Sequence, residues 1–151
     1  MTSAVLVLAV VTTGLYAGVM YAFQFIIMPT LGRGSDAEFT AVMRRINQVI
    51  VNPWFLVLFL GIVLWPLLAV VLAEEKLLAA LALGCTVLAH LVTVAGNIPL
   101  NEALGKAPVA TPEERLAARE AFEARWLRLH AVRTLLCVVA AVLLACAALA
   151  R

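Results

Sequence analysis

Long apolar stretches alternate with shorter polar ones along this chain. Four apolar segments reach the ~20 residues needed to cross a bilayer: Ser3 to Met28, Trp54 to Ala73, Leu77 to Gly96 and Leu129 to Ala150. The polar positions gather between the first and second segments and between the third and fourth. This pattern predicts an all-α fold, an integral membrane four-helix bundle. Residues 1–151 would form a single transmembrane domain with spans at about 3–28, 54–73, 77–96 and 129–150.

Both polar intervals carry helix-start signals. Ser35-Asp36-Ala37-Glu38 is a capping box. Beyond it Phe39, Val42, Met43, Ile46, Val49 and Ile50 share one side of a helix, with Arg44, Arg45 and Gln48 on the other, which predicts an amphipathic interfacial helix over about 36–50. That helix should stop before Asn52-Pro53. Thr111-Pro112-Glu113-Glu114 is a second box with proline at the first helical position. It predicts a cytoplasmic helix over about 112–128 that extends the fourth span without a break. Pro29 is expected to close the first span, and Asn97-Ile98-Pro99-Leu100-Asn101 to interrupt the helix after the third. Glu74-Glu75-Lys76 reads as a short turn making spans two and three antiparallel neighbours. Gly14 and Gly18, in GxxxG spacing, are expected to allow close helix approach.

Composition supports this reading. A chain of 151 residues that is 65% hydrophobic, with mean hydropathy +1.07, carries more apolar surface than one soluble core needs. The first segment lacks a basic leader and is too long for a secretory h-region, so it is expected to remain as a mature span. Cys85, Cys137 and Cys146 lie in apolar helices without CxxC spacing, which argues against a disulfide framework and a zinc site. A net charge of +2 is too small and too dispersed for nucleic-acid binding. Arg33, Arg44 and Arg45 fall in the first long loop, and Lys106, Arg115, Arg119, Arg125 and Arg128 in the second. The positive-inside rule then places both long loops in the cytoplasm and both termini outside, in a plasma membrane.

Two polar stripes carry the candidate chemistry. Thr86, His90, Thr93 and Asn97 form one along span three, spaced four, three and four apart. Phe122, Trp126, His130 and Arg133 form the other at the mouth of span four, spaced four, four and three. Polar groups at this depth normally face protein or a wet cavity. Counted at ~1.5 Å per residue, Arg133 lies roughly 7 Å into its span from Arg128 and His90 roughly 10 Å in from Asn97. His90, Asn97, Asn101, Trp126, His130 and Arg133 are therefore expected to converge on one pocket. The two asparagines could serve either the backbone around Pro99 or a substrate oxygen. On span one, Tyr16 and Gln24 project from similar faces.

The pattern resembles the anthrone oxygenase-like family of small four-span membrane proteins. The resemblance covers nearly the whole chain, through Gly14, Gly18, Phe23, Met28-Pro29, Phe39, Met43, Ile46-Asn47, Asn52-Pro53, Phe55, the Asn97-to-Asn101 element, Trp126 and Arg133-Thr134. The chain departs from the family at His130, where many relatives carry asparagine. The resemblance implies oxidation of anthrones, tricyclic aromatic polyketides, to anthraquinones with molecular oxygen and without metal or flavin. Proton abstraction would give an enolate that reacts with oxygen. On that reading His130 is the base with His90 in reserve, and Arg133, Asn97 and Asn101 bind the oxyanion. Trp126 and Phe122 stack on the rings, with Tyr16 and Gln24 completing substrate binding. The partners would be a hydrophobic aromatic substrate, oxygen and membrane lipid; homo-oligomerisation is compatible with the sequence. Two alternatives stay open: a non-enzymatic lipophile-binding or interaction protein, and a metal or haem protein ligated by His90 and His130. Transport is less favoured, because four spans provide no inverted repeat unless the protein dimerises.

Overall fold

A computed structural model describes residues 2–72 and 76–150. Among the described residues five helices make up the fold. Helix α1 comprises Thr2–Ala22, a π-helical turn Phe23–Ile27 and a final turn Met28–Gly32. Helix α2 is Asp36–Val49 and α3 is Pro53–Leu72. Helix α4 comprises Lys76–Val92, a second π-helical turn Thr93–Asn97 and Ile98–Lys106, and α5 is Pro112–Leu149. α1, α3, α4 and α5 are long and apolar enough to span a membrane. This is a membrane protein built as an all-α bundle. The predicted turn at Glu74-Glu75-Lys76 has its two glutamates outside the described residues; Lys76 begins α4.

The core is layered along the bundle, and the layers fix the helix directions. At one end Leu6, Ala9, Ala69, Ala79, Ala82, Ala140, Leu144 and Ala147 pack together. Without a hydrophobic force between helices in lipid, such small residues let helices approach closely enough for dispersion contacts to hold them. In the middle Tyr16, Ala17, Met20, Ile62, Ala89 and Cys137 meet. At the other end, which carries the basic loops, Met28, Phe39, Met43, Leu104, Ala118, Phe122 and Trp126 form a bulkier cluster. α1 and α4 therefore run parallel, and α3 and α5 run against them.

Both capping boxes form. Ser35 N–H donates to Glu38 Oε2 at 2.8 Å and Glu38 N–H to Ser35 Oγ at 3.3 Å; the Ser35 N–H, with the Ser35 hydroxyl donating to the same oxygen at 2.8 Å, holds the Glu38 carboxyl below its usual range. Thr111 and Glu114 make the equivalent pair at the start of α5. Asn52 starts α3 by accepting from Phe55 N–H at 3.1 Å, with Pro53 as the first helical residue.

Neither Pro29 nor Pro99 ends its helix. In each case the residue before the proline donates five residues back, Met28 N–H to the Phe23 carbonyl and Ile98 N–H to the Thr93 carbonyl. The widened turn makes room for the proline ring and lets the helix continue for five residues in α1 and nine in α4.

α2 seals the basic end. Phe39, Thr40 and Met43 are buried, whereas Val42 and Val49, assigned to the same apolar side, are exposed. Arg44 turns inward: its Nε donates to the Leu104 carbonyl at 2.9 Å and its Nη2 to the Ala107 carbonyl, satisfying oxygens at the α4 C-terminus. Arg119 of α5 ties down the turn between α1 and α2. It donates to Glu123 at 2.6 Å, Asp36 at 2.9 Å and the carbonyls of Gly32 and Gly34, and its guanidinium lies 4.7 Å from the Phe39 ring centroid.

The close contact of α1 with α3 is made at Gly61, where an added Cβ would lie 2.8 Å from Thr12 Cγ2; Gly96 makes a similar one between α4 and α5, 2.7 Å from Leu129 Cδ1. Gly14 and Gly18 face outward with nothing near. Gly61→Ala should therefore cost about 1–3 kcal/mol, the usual penalty for overpacking against a stiff β-branched neighbour. Gly18→Ala should not destabilise. Thermal scans in one detergent compare them, and equal melting temperatures would show that the α1–α3 contact does not depend on that glycine.

Candidate functional site

The site grows from the middle of α5. Phe122, Trp126, His130 and Arg133 do share one face, and all four are buried, Arg133 at 8% exposure and His130 at 0%. The His130 ring stacks on Trp126 with centroids 4.5 Å apart and planes 12° from parallel. Arg133 Nε donates to His130 Nδ1 at 2.9 Å. Because that nitrogen accepts, the ring carries its proton on Nε2, which donates to the Met20 carbonyl of α1 at 3.0 Å. Thr134 Oγ1 caps the His130 carbonyl at 2.8 Å. Both imidazole nitrogens are thus engaged, one in holding α1 and one in holding Arg133.

The guanidinium is held on three sides. Besides His130, Arg133 Nη1 donates to Thr93 Oγ1 at 3.3 Å, and Cζ lies 5.3 Å from the Trp126 ring centroid. Among the described residues no carboxylate pairs with it, and Nη2 makes no hydrogen bond. The π turn of α4 begins at the residue that bonds it, Thr93.

Next to Arg133 lies a cavity of about 600 Å³, within the range of small-molecule sites. Tyr16, Met20, Phe23, Phe55, Phe59 and Trp126 supply much of its apolar wall, while Asn47, Asn101 and Arg133 bring polar groups to it. Arg44 and Glu102 stand at the basic end. Asn101 Oδ1 accepts from Trp126 Nε1 at 2.8 Å, and Asn97 Nδ2 donates to the Trp126 carbonyl at 3.3 Å, so the two asparagines of α4 clasp one tryptophan. Asn97 is fully buried behind the wall, with its Oδ1 unpartnered among the described residues.

Other sequence candidates lie away from the hollow. Phe122 packs between Phe39 and Trp126 in the basic-end core. Gln24 sits in the first π turn with a buried Oε1 that has no partner among the described residues, and it does not line the cavity. His90 is half-buried on the α3 side. Its Nδ1 lies 3.0 Å from the Thr86 carbonyl and its Nε2 2.8 Å from the Phe59 carbonyl, and its ring lies against Phe59 at 4.1 Å. His90 and His130 thus serve different helix pairs, and a metal would have to displace one of these bonds at either ring. Three groups that sequence reasoning left out belong here: Thr93 as a guanidinium partner, Phe55 and Phe59 as walls, and Asn47 with an unpartnered buried Nδ2 among the described residues. Phe55 and Phe59 are spaced four apart, but on a wholly apolar helix that spacing marks no face.

A family model described as anthrone oxygenase matches residues 39–143. The chain belongs to the anthrone oxygenase family. The matched stretch includes most of α2, all of α3 and α4, and most of α5, and so every site residue except those on α1, Tyr16, Met20 and Phe23 among them. No curated protein and no solved structure matches the chain.

In this anthrone oxygenase family member, asparagine could reproduce both His130 bonds, with a carbonyl to accept from Arg133 and an amide to donate to Met20. His130→Ala would leave the Arg133 Nε donor without its acceptor and remove the bond to the Met20 carbonyl, and should cost about 1–3 kcal/mol. His130→Asn should recover part of that loss. Equal melting temperatures for the two variants would overturn the holding role.

Proposed function

We propose that the protein is a membrane-embedded oxygenase that oxidises an anthrone-like phenolic polycycle with molecular oxygen, without metal or flavin. Family membership supports the reaction class. The observation that carries the reading is the Arg133 guanidinium, buried, without a carboxylate partner among the described residues and lining a largely apolar cavity. A cation desolvated in this way favours an anion, and the cavity walls favour one borne on a flat aromatic skeleton.

The substrate partitions into the membrane and enters from the basic end, which by the positive-inside rule lies at the cytoplasmic leaflet of the plasma membrane. Its carbonyl oxygen faces Arg133 Nη2. Loss of a methylene proton to solvent then places the enolate charge beside the guanidinium, where low dielectric makes the attraction strong. The enolate is electron-rich enough to reduce oxygen. His130 acts as a positioning residue: its Nδ1 lone pair is spent on Arg133, so its effect on the reaction runs through the orientation of the guanidinium. Asn101 and Asn97 act through Trp126 in the same way. Phe23, Phe55, Phe59 and Trp126 bound the ring system.

Purified protein in lipid nanodiscs, supplied with an anthrone in air, should form quinone above the uncatalysed rate with one oxygen consumed per quinone. Arg133→Gln should lower kcat/KM by about 100- to 1000-fold, as loss of an oxyanion donor does. It should also melt within a few degrees of wild type, because among the described residues no carboxylate is left unpaired when the charge is removed, and the glutamine amide can still donate a hydrogen bond. Saturable binding of the anthrone without turnover would instead identify a lipophile-binding protein. An Arg133→Gln enzyme as fast as wild type would remove the oxyanion role.

A further inference from the structure

Tyr16 is a buried titratable group that the steps above do not use. It is 2% exposed on α1, lines the cavity, and rests its ring against Phe55 and Phe59 at 5.7 and 6.2 Å between centroids. Its hydroxyl makes no hydrogen bond to the described residues, although buried tyrosines usually find a partner. Arg133 lines the same hollow, so two donors without a hydrogen-bond partner among the described residues, the phenol and Nη2, belong to residues that border it from the adjacent helices α1 and α5.

We propose that Tyr16 is a catalytic residue that carries a proton in the water-forming half of the reaction. The inference rests on the oxygenase reading. In the first half one C–H bond of the methylene breaks, the enolate passes one electron to oxygen, and the resulting substrate radical and superoxide combine into a C–O bond. Protonation gives a substrate hydroperoxide. In the second half the O–O bond breaks. The Tyr16 hydroxyl gives its proton to the departing oxygen, which leaves as water. The remaining C–H bond at that carbon breaks, its electron pair completes the new carbonyl, and its proton returns to the Tyr16 phenolate. One methylene and one oxygen molecule become one carbonyl and one water, with the tyrosine restored. Between the two transfers the phenolate lies in the field of the Arg133 cation.

The phenol is suited to this step because its proton has no acceptor among the described residues, and because Tyr16 lines the same cavity as Arg133. Phe55 and Phe59 pack against its ring. Tyr16→Phe removes one oxygen atom and keeps those ring contacts, so its fold can be checked by melting temperature alone.

The test follows oxygen uptake and quinone appearance separately in one reaction of nanodisc-embedded protein with an anthrone. In wild type the two should coincide. In Tyr16→Phe quinone formation should fall by about 100-fold more than oxygen uptake, the usual scale for loss of a positioned proton donor. A hydroperoxide 32 mass units heavier than the substrate should accumulate and be consumed by added triphenylphosphine. As a second measurement, wild type in deuterated water should slow in the quinone-forming phase. Coincident uptake and quinone formation in Tyr16→Phe, or no solvent isotope effect on quinone formation in wild type, would overturn the role of Tyr16 and leave the oxygenase reading intact. Failure of wild type to consume oxygen above the uncatalysed rate would overturn both.

Discussion

A guanidinium inside the bundle without a carboxylate is the constraint around which the basic half of this protein is arranged. Placing arginine at the centre of a spanning helix costs about 2.5–3.5 kcal/mol even on scales that allow the bilayer to adapt. Ion pairing could offset this, yet the ion pairs among the described residues all lie elsewhere: Arg119 with Asp36 and Glu123, and Lys106 with Glu102. Among the described residues Arg133 is held by neutral groups, a ring nitrogen, a hydroxyl and an indole face. Neutral partners fix its direction without cancelling its charge. A carboxylate there would stabilise the resting protein more and would compete with any anion entering the cavity.

The polar supports need backbone that an ordinary helix does not provide, and the two π turns mark where. They lie seventy residues apart, as do Pro29 and Pro99, so α1 and α4 use the same device. Met20, whose carbonyl receives His130, lies just ahead of the first turn; Thr93, which receives Arg133, opens the second. Each parallel helix is followed by a capped helix, α2 after Ser35 and the first half of α5 after Thr111. The halves then differ. α5 runs unbroken into its span, whereas Asn52-Pro53 separates α2 from α3. Ile50 and Val51 at that break line the cavity with Phe55, so the discontinuity opens room on one side while the continuous helix opposite supplies rigid placement for Arg133.

Much of this architecture was legible in the residues. Apolar run length gave the four spans, the Ser35 and Thr111 boxes gave two helix starts, and spacing along α5 put Trp126, His130 and Arg133 together. What escaped depends on contacts between helices. Pro29 and Pro99 have the look of terminators because proline removes an i−4 bond; at each of them the helix instead widens to an i−5 bond, which leaves room for the ring, and goes on. Gly14 and Gly18 have the spacing of a contact face but turn outward, while Gly61 and Gly96, outside any such pair, make close approaches. Arg44 belongs by periodicity to a polar face, yet its long stem reaches the carbonyls that end α4. His90 has the same depth and helix face as the groups that meet Arg133, but the Phe59 carbonyl claims it, and sequence does not reveal which neighbour a ring will find.

His130 shows why electrostatics carries more of the proposed chemistry than proton abstraction. An imidazole whose Nδ1 accepts from a guanidinium must lose that bond, beside a cation, before it can take a proton, which makes it a poor base in this arrangement. The cation itself is worth more. A unit charge about 4 Å from a forming oxyanion, at the effective dielectric of about 20 that describes such pairs, contributes about 4 kcal/mol. At 1.36 kcal/mol per tenfold that is about a thousandfold in the ionisation of the substrate, comparable to what a well-placed general base supplies. Enolate formation in such a cavity can therefore be driven through the acidity of the substrate, with solvent removing the proton. Histidine then stands beside the arginine as the neutral acceptor that keeps the fork aimed, a role that asks for one donor and one acceptor and not for a titratable ring.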